Sequence, residues 1–147
     1  MDTVLLKEEL VRYESRRNVV YKDSVGLATV GVGHLCLPRD NLAVGDTVDD
    51  ATIDRWLDAD IIRSTQIART LVSSYDRLDD CRQRIVVNLC FNLGNRFGQF
   101  VNTIAYINAM DFDNAATNLS QSKWYAQVGH RGVEMCDALR RGVYTFR

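Results

Sequence analysis

The sequence contains one proline, two histidines and no long apolar run. A membrane-spanning helix needs about 18 or more consecutive apolar residues, and no such segment is present. The first residues also lack the basic segment and apolar segment of a secretory signal. We therefore expect synthesis in the cytoplasm without a signal peptide, and no stable insertion into a membrane.

The four cysteines give no indication of a metal site. They form no CxxC pair, and no nearby histidine stands at a metal-ligand spacing. Cys90 and Cys136 lie on apolar helical stripes, which is typical of small buried hydrophobic residues. The sequence therefore predicts no bound metal.

The charge balance argues against a nucleic-acid partner. The net charge is −1, so the chain lacks the basic field that nucleic-acid binders present. With 147 residues, 46% of them hydrophobic, the chain can bury a core. Its length fits one domain or two small lobes that share a helix.

Two acidic residues near the N-terminus suit the hydrolysis of a glycosidic bond. This reaction needs one acid that is protonated and a second that is ionised. Apolar residues at helical spacing predict a first helix with Glu14 in its last turn. The negative end of the helix dipole favours the protonated form there, so Glu14 is predicted to be the general acid and Asp23 the second carboxylate.

A hairpin is predicted around Asp23. Residues 19–21 are β-rich, and Asp23 and Gly26 occupy the first and fourth positions of a type I turn. A returning strand from Leu27 to Val32 would bring Thr29 towards Asp23, where the two could hold a water molecule. Taken singly, an Asp that opens a turn and a Thr in a strand are more often structural.

Three separated parts of the chain together resemble a known family, the phage-type lysozymes. Their order and spacing carry more weight than any single motif. They are Glu14 with residues 21–35 (YKDSVGLATVGVGHL), residues 88–94 (NLCFNLG), and residues 115–127 (AATNLSQSKWYAQ) with Arg131.

The resemblance assigns roles to individual residues. It implies that Glu14 donates the proton, and that Asp23 and Thr29 position the attacking water. A second group matches positions that line a sugar-binding cleft: Leu35, Phe91, Thr103 and Asn118. A third group matches supporting positions, with His34 and Asp60 as an ion pair and Arg131 near the catalytic glutamate.

The rest of the sequence indicates mostly helices. Asp49 or Asp50 can cap a long helix that continues to Leu71, and a mostly apolar helix ends at Gly94. We predict an α+β, lysozyme-like fold in a single domain. Its parts are an N-terminal hairpin lobe at about 13–60, a connecting helix at about 49–71, and a helical lobe at about 72–147 joined by helix 2–14.

By resemblance, the predicted activity is that of a muramidase, which cleaves the β-1,4 bond between N-acetylmuramic acid and N-acetylglucosamine in peptidoglycan. We expect an inverting mechanism without a metal or organic cofactor. The resemblance also implies a monomer that lyses a phage host and reaches the periplasm through a holin pore. The alternatives are a lytic transglycosylase and a non-catalytic module that binds the cell wall.

Overall fold

The computed structural model describes residues 1–146 and divides them into two units. The N-terminal unit is Thr3–Arg63, and the C-terminal unit is residues 64–146 together with Met1–Asp2. The first helix therefore belongs to the N-terminal unit, whereas the sequence-based division placed it with the helical lobe. Within this unit, Lys7 of the first helix forms an ion pair with Asp58 at 2.6 Å.

The N-terminal unit combines a helix with a small antiparallel sheet. Among its described residues, three strands are hydrogen-bonded in the order β1, β2, β3. The elements are α1 (Thr3–Glu14), β1 (Arg17–Lys22), β2 (Ala28–Gly31), β3 (His34–Leu35) and the first part of α2 (Asp50–Leu71).

Helix α1 ends where the sequence predicts. Glu14 is its last residue, and Ser15 follows with a φ of 64°. The Ser15 N–H donates to the carbonyl oxygen of Val11 at 2.9 Å. A left-handed residue after the last turn is a common helix stop, so the chain reverses directly behind Glu14.

The β1–β2 hairpin has the predicted turn. Asp23 Oδ1 accepts hydrogen bonds from the N–H groups of Val25 at 3.0 Å and Leu27 at 2.8 Å. Gly26 has a φ of +85°, which glycine adopts without strain. The strands then pair with Tyr21 opposite Thr29.

The predicted strand from Leu27 to Val32 is wrong in its bounds. Strand β2 covers Ala28–Gly31, and a tight turn leads into β3. Gly31 and Gly33 have φ values of +65° and +63°, which end the extended conformation.

Helix α2 begins as predicted, and Asp49 is the residue that caps it. Its Oδ1 accepts from the Thr52 N–H at 2.8 Å. Ile53 and Leu57 are buried along the inward stripe. The boundary between the two units falls inside α2, between Arg63 and Ser64.

The described part of the C-terminal unit consists mainly of helices. Helix α3 ends at Leu93 with Gly94 as the C-cap, as predicted. Gly132 lies inside the last helix, where a Cβ atom would be 3.0 Å from Tyr125 Cδ2. The helices are α3 (Asp80–Leu93), α4 (Val101–Asn108), α5 (Phe112–Ser120), α6 (Lys123–Val128) and α7 (His130–Arg141).

The core of the C-terminal unit surrounds α3. Residues 85–90 are all buried, which agrees with a central helix that packs on several sides. Cys90 and Cys136 are buried as predicted. A small N-terminal sheet followed by a helical part confirms the predicted α+β class.

Candidate active site

Glu14 and the β2–β3 turn meet in the N-terminal unit. The Glu14 side chain is half-buried at the end of α1. Its carboxyl group lies against the backbone at Gly33, where a Cβ atom would be 2.7 Å from Oε2. The contact with the backbone at Gly33 restricts the orientation of the carboxyl group. Because the side chain is only half-buried, the carboxyl group can still reach a bound substrate.

Asp23 and Thr29 lie in the same hairpin. Asp23 is half-buried, and Oδ1 accepts two backbone N–H groups of the turn. Thr29 is 6% exposed, and its hydroxyl donates to the Leu27 carbonyl at 3.1 Å. Asp23 therefore has the turn-forming role that its sequence context favours, which fixes the carboxylate rigidly. Its role with Thr29 in holding water stays a prediction.

His34 lies between two carboxylates. Its Nδ1 is 3.2 Å from Asp60 Oδ2, and its Nε2 is 3.3 Å from Asp40 Oδ2. The ring stacks on Trp56 with centroids 4.2 Å apart and planes 10° from parallel. Asp60 is only 7% exposed and also pairs with Arg63, so its charge has partners on both sides.

The two carboxylates change the titration of His34. Burial alone would lower its pKa, but the hydrogen bonds and charges of Asp60 and Asp40 outweigh burial and raise the pKa above 6.5. The pKa of Asp40 lies below 3.8, mainly because its carboxylate accepts a hydrogen bond from the Leu37 N–H, and to a smaller extent because of its contact with His34. This cluster holds the short turn at Pro38–Asp40 beside α2.

The predicted sugar-contacting residues divide between the two units. Leu35 is 45% exposed at the end of β3 in the N-terminal unit. In the C-terminal unit, Phe91 on α3 and Asn118 on α5 are half-buried. Thr103 on α4 is only 1% exposed, and its hydroxyl donates to Asn118 Oδ1 at 2.6 Å. The Thr103 hydroxyl therefore contacts Asn118 by a hydrogen bond.

Arg131 is buried in the C-terminal unit. It lies on α7 with 8% exposure, and its Nη2 donates to Asn88 Oδ1 at 2.6 Å. Asn88 is 1% exposed on α3, so the hydrogen bond joins two helices of this unit. The predicted role of Arg131 near the catalytic glutamate stays a prediction.

Sequence reasoning missed Asp40, Trp56 and Gly33 as contributors to the site. Asp40 follows Pro38 by two residues, and its Oδ2 accepts from the Leu37 N–H at 2.8 Å. A proline followed by an acidic residue is a recognisable start of a helical turn, so this signal was available. The stack of Trp56 on His34 had no counterpart in the sequence pattern.

Comparison with known proteins identifies the family. A family model described as Phage lysozyme matches residues 11–141. The chain belongs to the phage lysozyme family. The match includes every candidate residue of both units, from Glu14 to Arg131.

Two relatives of this phage lysozyme family member come from Dictyostelium discoideum. Probable T4-type lysozyme 2 is 24% identical over 160 residues, covering 93% of this chain and 94% of the relative. Probable T4-type lysozyme 1 is 23% identical with the same coverage. These are distant relatives that span nearly the whole chain.

Family membership supports a lysozyme-like peptidoglycan hydrolase, which is a glycoside hydrolase. Among residues 1–146, no helix combines the length and the apolar character needed to cross a membrane.

Proposed function

We propose that this protein is a muramidase that hydrolyses the β-1,4 bond between N-acetylmuramic acid and N-acetylglucosamine. Glu14 is the general acid that protonates the glycosidic oxygen. Asp23 and Thr29 orient the attacking water on the opposite face of the sugar, which gives inversion at the anomeric carbon. The glycosidic C–O bond breaks as Glu14 gives its proton to the leaving oxygen, and the water adds to the anomeric carbon while it loses a proton to Asp23, so the reaction requires no cofactor.

The observation that carries this proposal is the placement of Glu14. A half-buried carboxyl group at a helix end, packed against the β2–β3 turn, occurs within a chain that matches the phage lysozyme family. Asp23 supports the proposal because two turn N–H groups hold its carboxyl group in a fixed position in the same unit.

Each unit carries its own side chains that are proposed to contact the substrate. Leu35 offers exposed apolar surface, and Phe91 offers an aromatic side chain of the kind that packs on sugar rings. Because Thr103 donates to the oxygen of Asn118, the Asn118 NH₂ group remains as the donor for a substrate acceptor. Thr103 is proposed to act through Asn118 and not by touching the sugar. Arg131 is proposed to support the site as a buried cation.

The first test is digestion of isolated peptidoglycan, with the soluble fragments identified by mass spectrometry. The wild type should release reducing N-acetylmuramic acid ends. Glu14→Gln should fold normally, because the amide has the same shape, but lose at least about a hundredfold in rate, because it cannot donate the proton. An active Glu14→Gln protein would refute the acid assignment.

The fragments also separate the alternatives. Anhydro ends would identify a lytic transglycosylase, and the absence of fragments would favour a non-catalytic module that binds the cell wall. Fresh products followed by NMR before mutarotation would show an inverted or retained anomer, which tests the water-activating role of Asp23.

The proposed biological role is lysis of a bacterial host by a phage. In this role a monomer is synthesised in the host cytoplasm, is released through a holin pore and acts on the cell wall, without a nucleic-acid partner. The family description, Phage lysozyme, supports this role. A phage lacking its own lysozyme should recover plaque formation when this chain is expressed, and only when its holin is intact.

A further inference from the structure

The β2–β3 turn leaves no room for a side chain beneath Glu14. At Gly33, a Cβ atom would lie 2.7 Å from Glu14 Oε2, 3.0 Å from Cδ and 3.2 Å from Cγ. A carbon at 2.7 Å from a carboxylate oxygen is inside van der Waals contact. The carboxyl group thus occupies the space in which any side chain at position 33 would begin.

The other glycines of the N-terminal unit differ from Gly33 in this respect. Gly26 and Gly45 also have positive φ, but a Cβ atom at either would meet nothing within 4 Å. At Gly31 the nearest atom is Ile53 Cγ2 at 3.1 Å, which is a core contact. Among the glycines of residues 3–63, Gly33 alone faces a carboxylate.

We propose that Gly33 is a positioning residue that sets where the Glu14 carboxyl group lies. The inference rests on the proposed function, because it concerns the group assigned as general acid. The bare backbone at Gly33 forms a surface on one side of the carboxyl group, while the stop of α1 at Ser15 fixes its Cα. Together they restrict the side-chain conformations of Glu14 before substrate binds.

A methyl group at position 33 would displace the acid, and its cost in stability would come mainly from the positive φ of +63°. The Glu14 carboxyl group is the far end of a flexible side chain, so it moves more easily than the turn backbone. A shift of about 1 Å in a catalytic group can cost about a hundredfold in rate. The signature of a positioning role is therefore a loss of activity that exceeds the loss of stability.

Gly45→Ala is the matched control for Gly33→Ala. Both substitutions place alanine at positive φ in the same unit, with φ values of +96° and +63°, but only position 33 contacts Glu14. Both variants should lose similar stability in urea unfolding. Gly33→Ala should lose about a hundredfold in kcat on soluble peptidoglycan with KM unchanged, and Gly45→Ala should keep both values.

Crystal structures of both variants give a readout that does not depend on catalysis. We expect the Glu14 carboxyl group to be displaced in Gly33→Ala and unmoved in Gly45→Ala. Full kcat in Gly33→Ala, or an unmoved carboxyl group, would overturn the positioning role. The carboxyl group could be displaced in Gly33→Ala while the wild type releases no peptidoglycan fragments. That result would confirm the contact between Gly33 and Glu14, but it would overturn the proposed catalytic function and with it the positioning role.

Discussion

The N-terminal unit presents its candidate groups at chain reversals, whereas the C-terminal unit presents them on the sides of packed helices. Glu14 precedes the reversal at Ser15, and Asp23 opens the hairpin turn. Thr103 and Asn118 instead join α4 to α5 by a hydrogen bond. Backbone turns fix the proposed acid and water-activating groups, and helix packing fixes the proposed sugar contacts.

This difference affects how each unit tolerates change. A turn residue depends on φ and on a few nearby atoms, so its replacement alters local geometry first. A residue on a central helix depends on surrounding side chains, so its replacement removes packing and lowers the free energy of unfolding. The predictions below test whether the two units respond in these separate ways.

The largest effect is expected in the C-terminal core. Leu89 is 0% exposed in the middle of α3, so Leu89→Ala should lower the free energy of unfolding by about 2–5 kcal/mol in urea titration. The control in the N-terminal unit is Val25→Ala, because Val25 is 76% exposed in the hairpin turn. That change should stay within about 0.5 kcal/mol. Equal losses for the two variants would contradict the comparison.

A smaller, pH-dependent effect is expected at His34 in the N-terminal unit. His34→Ala removes two hydrogen bonds and the stack on Trp56, which should cost about 1–3 kcal/mol at pH 5.5. Because the folded pKa is raised above 6.5, the contribution of His34 is fully present below 6.5 and is lost as pH rises through the folded pKa. The difference between wild type and variant should therefore shrink by pH 8.5.

Urea unfolding at several pH values would measure this change. His130, which is exposed, provides the control for loss of an imidazole, and His130→Ala should change the free energy of unfolding at pH 5.5 by no more than about 0.5 kcal/mol. A difference for His34→Ala that stays constant from pH 5.5 to 8.5, or grows over that range, would show that the two carboxylates do not favour the charged ring.

The smallest effect is expected at the start of α3. Asp79 Oδ1 accepts from the Arg82 N–H at 3.0 Å, so Asp79→Ala should cost about 1 kcal/mol by thermal or urea unfolding. Asp79→Asn keeps an acceptor at the cap and should cost less. If the two variants were equally destabilised, the ion pair between Asp79 and Arg82 would be the important contact, and not the cap.

Local signals predicted much of the fold. The stop of α1 at Glu14, the turn at Asp23, the cap at Asp49 and the end of α3 at Gly94 all follow from short-range residue preferences. The error at β2 arose because the predicted strand extends to Val32, while Gly31 at positive φ ends it earlier. The periodicity of apolar residues indicates which side chains are buried. It does not indicate where the backbone turns between two buried residues.

The sequence allowed the candidate site residues to be proposed, but it predicted fewer of the contacts between their side chains. The pairing of His34 with Asp60 followed from the family resemblance, whereas the second carboxylate, Asp40, comes from a short turn whose path no periodic pattern describes. The burial of Thr103 depends on how α4 packs on α5. Such contacts result from tertiary packing, which single-residue preferences do not encode.

The placement of the cysteines has a practical consequence for labelling the protein. Burial raises the pKa of Cys90 and of Cys136 to about 12, so both thiols stay protonated and react slowly with electrophiles. Cys81 is buried as well, whereas Cys36 is half-exposed, two residues beyond His34. A maleimide dye should therefore attach to Cys36 first and report on the β3 edge without any engineered cysteine.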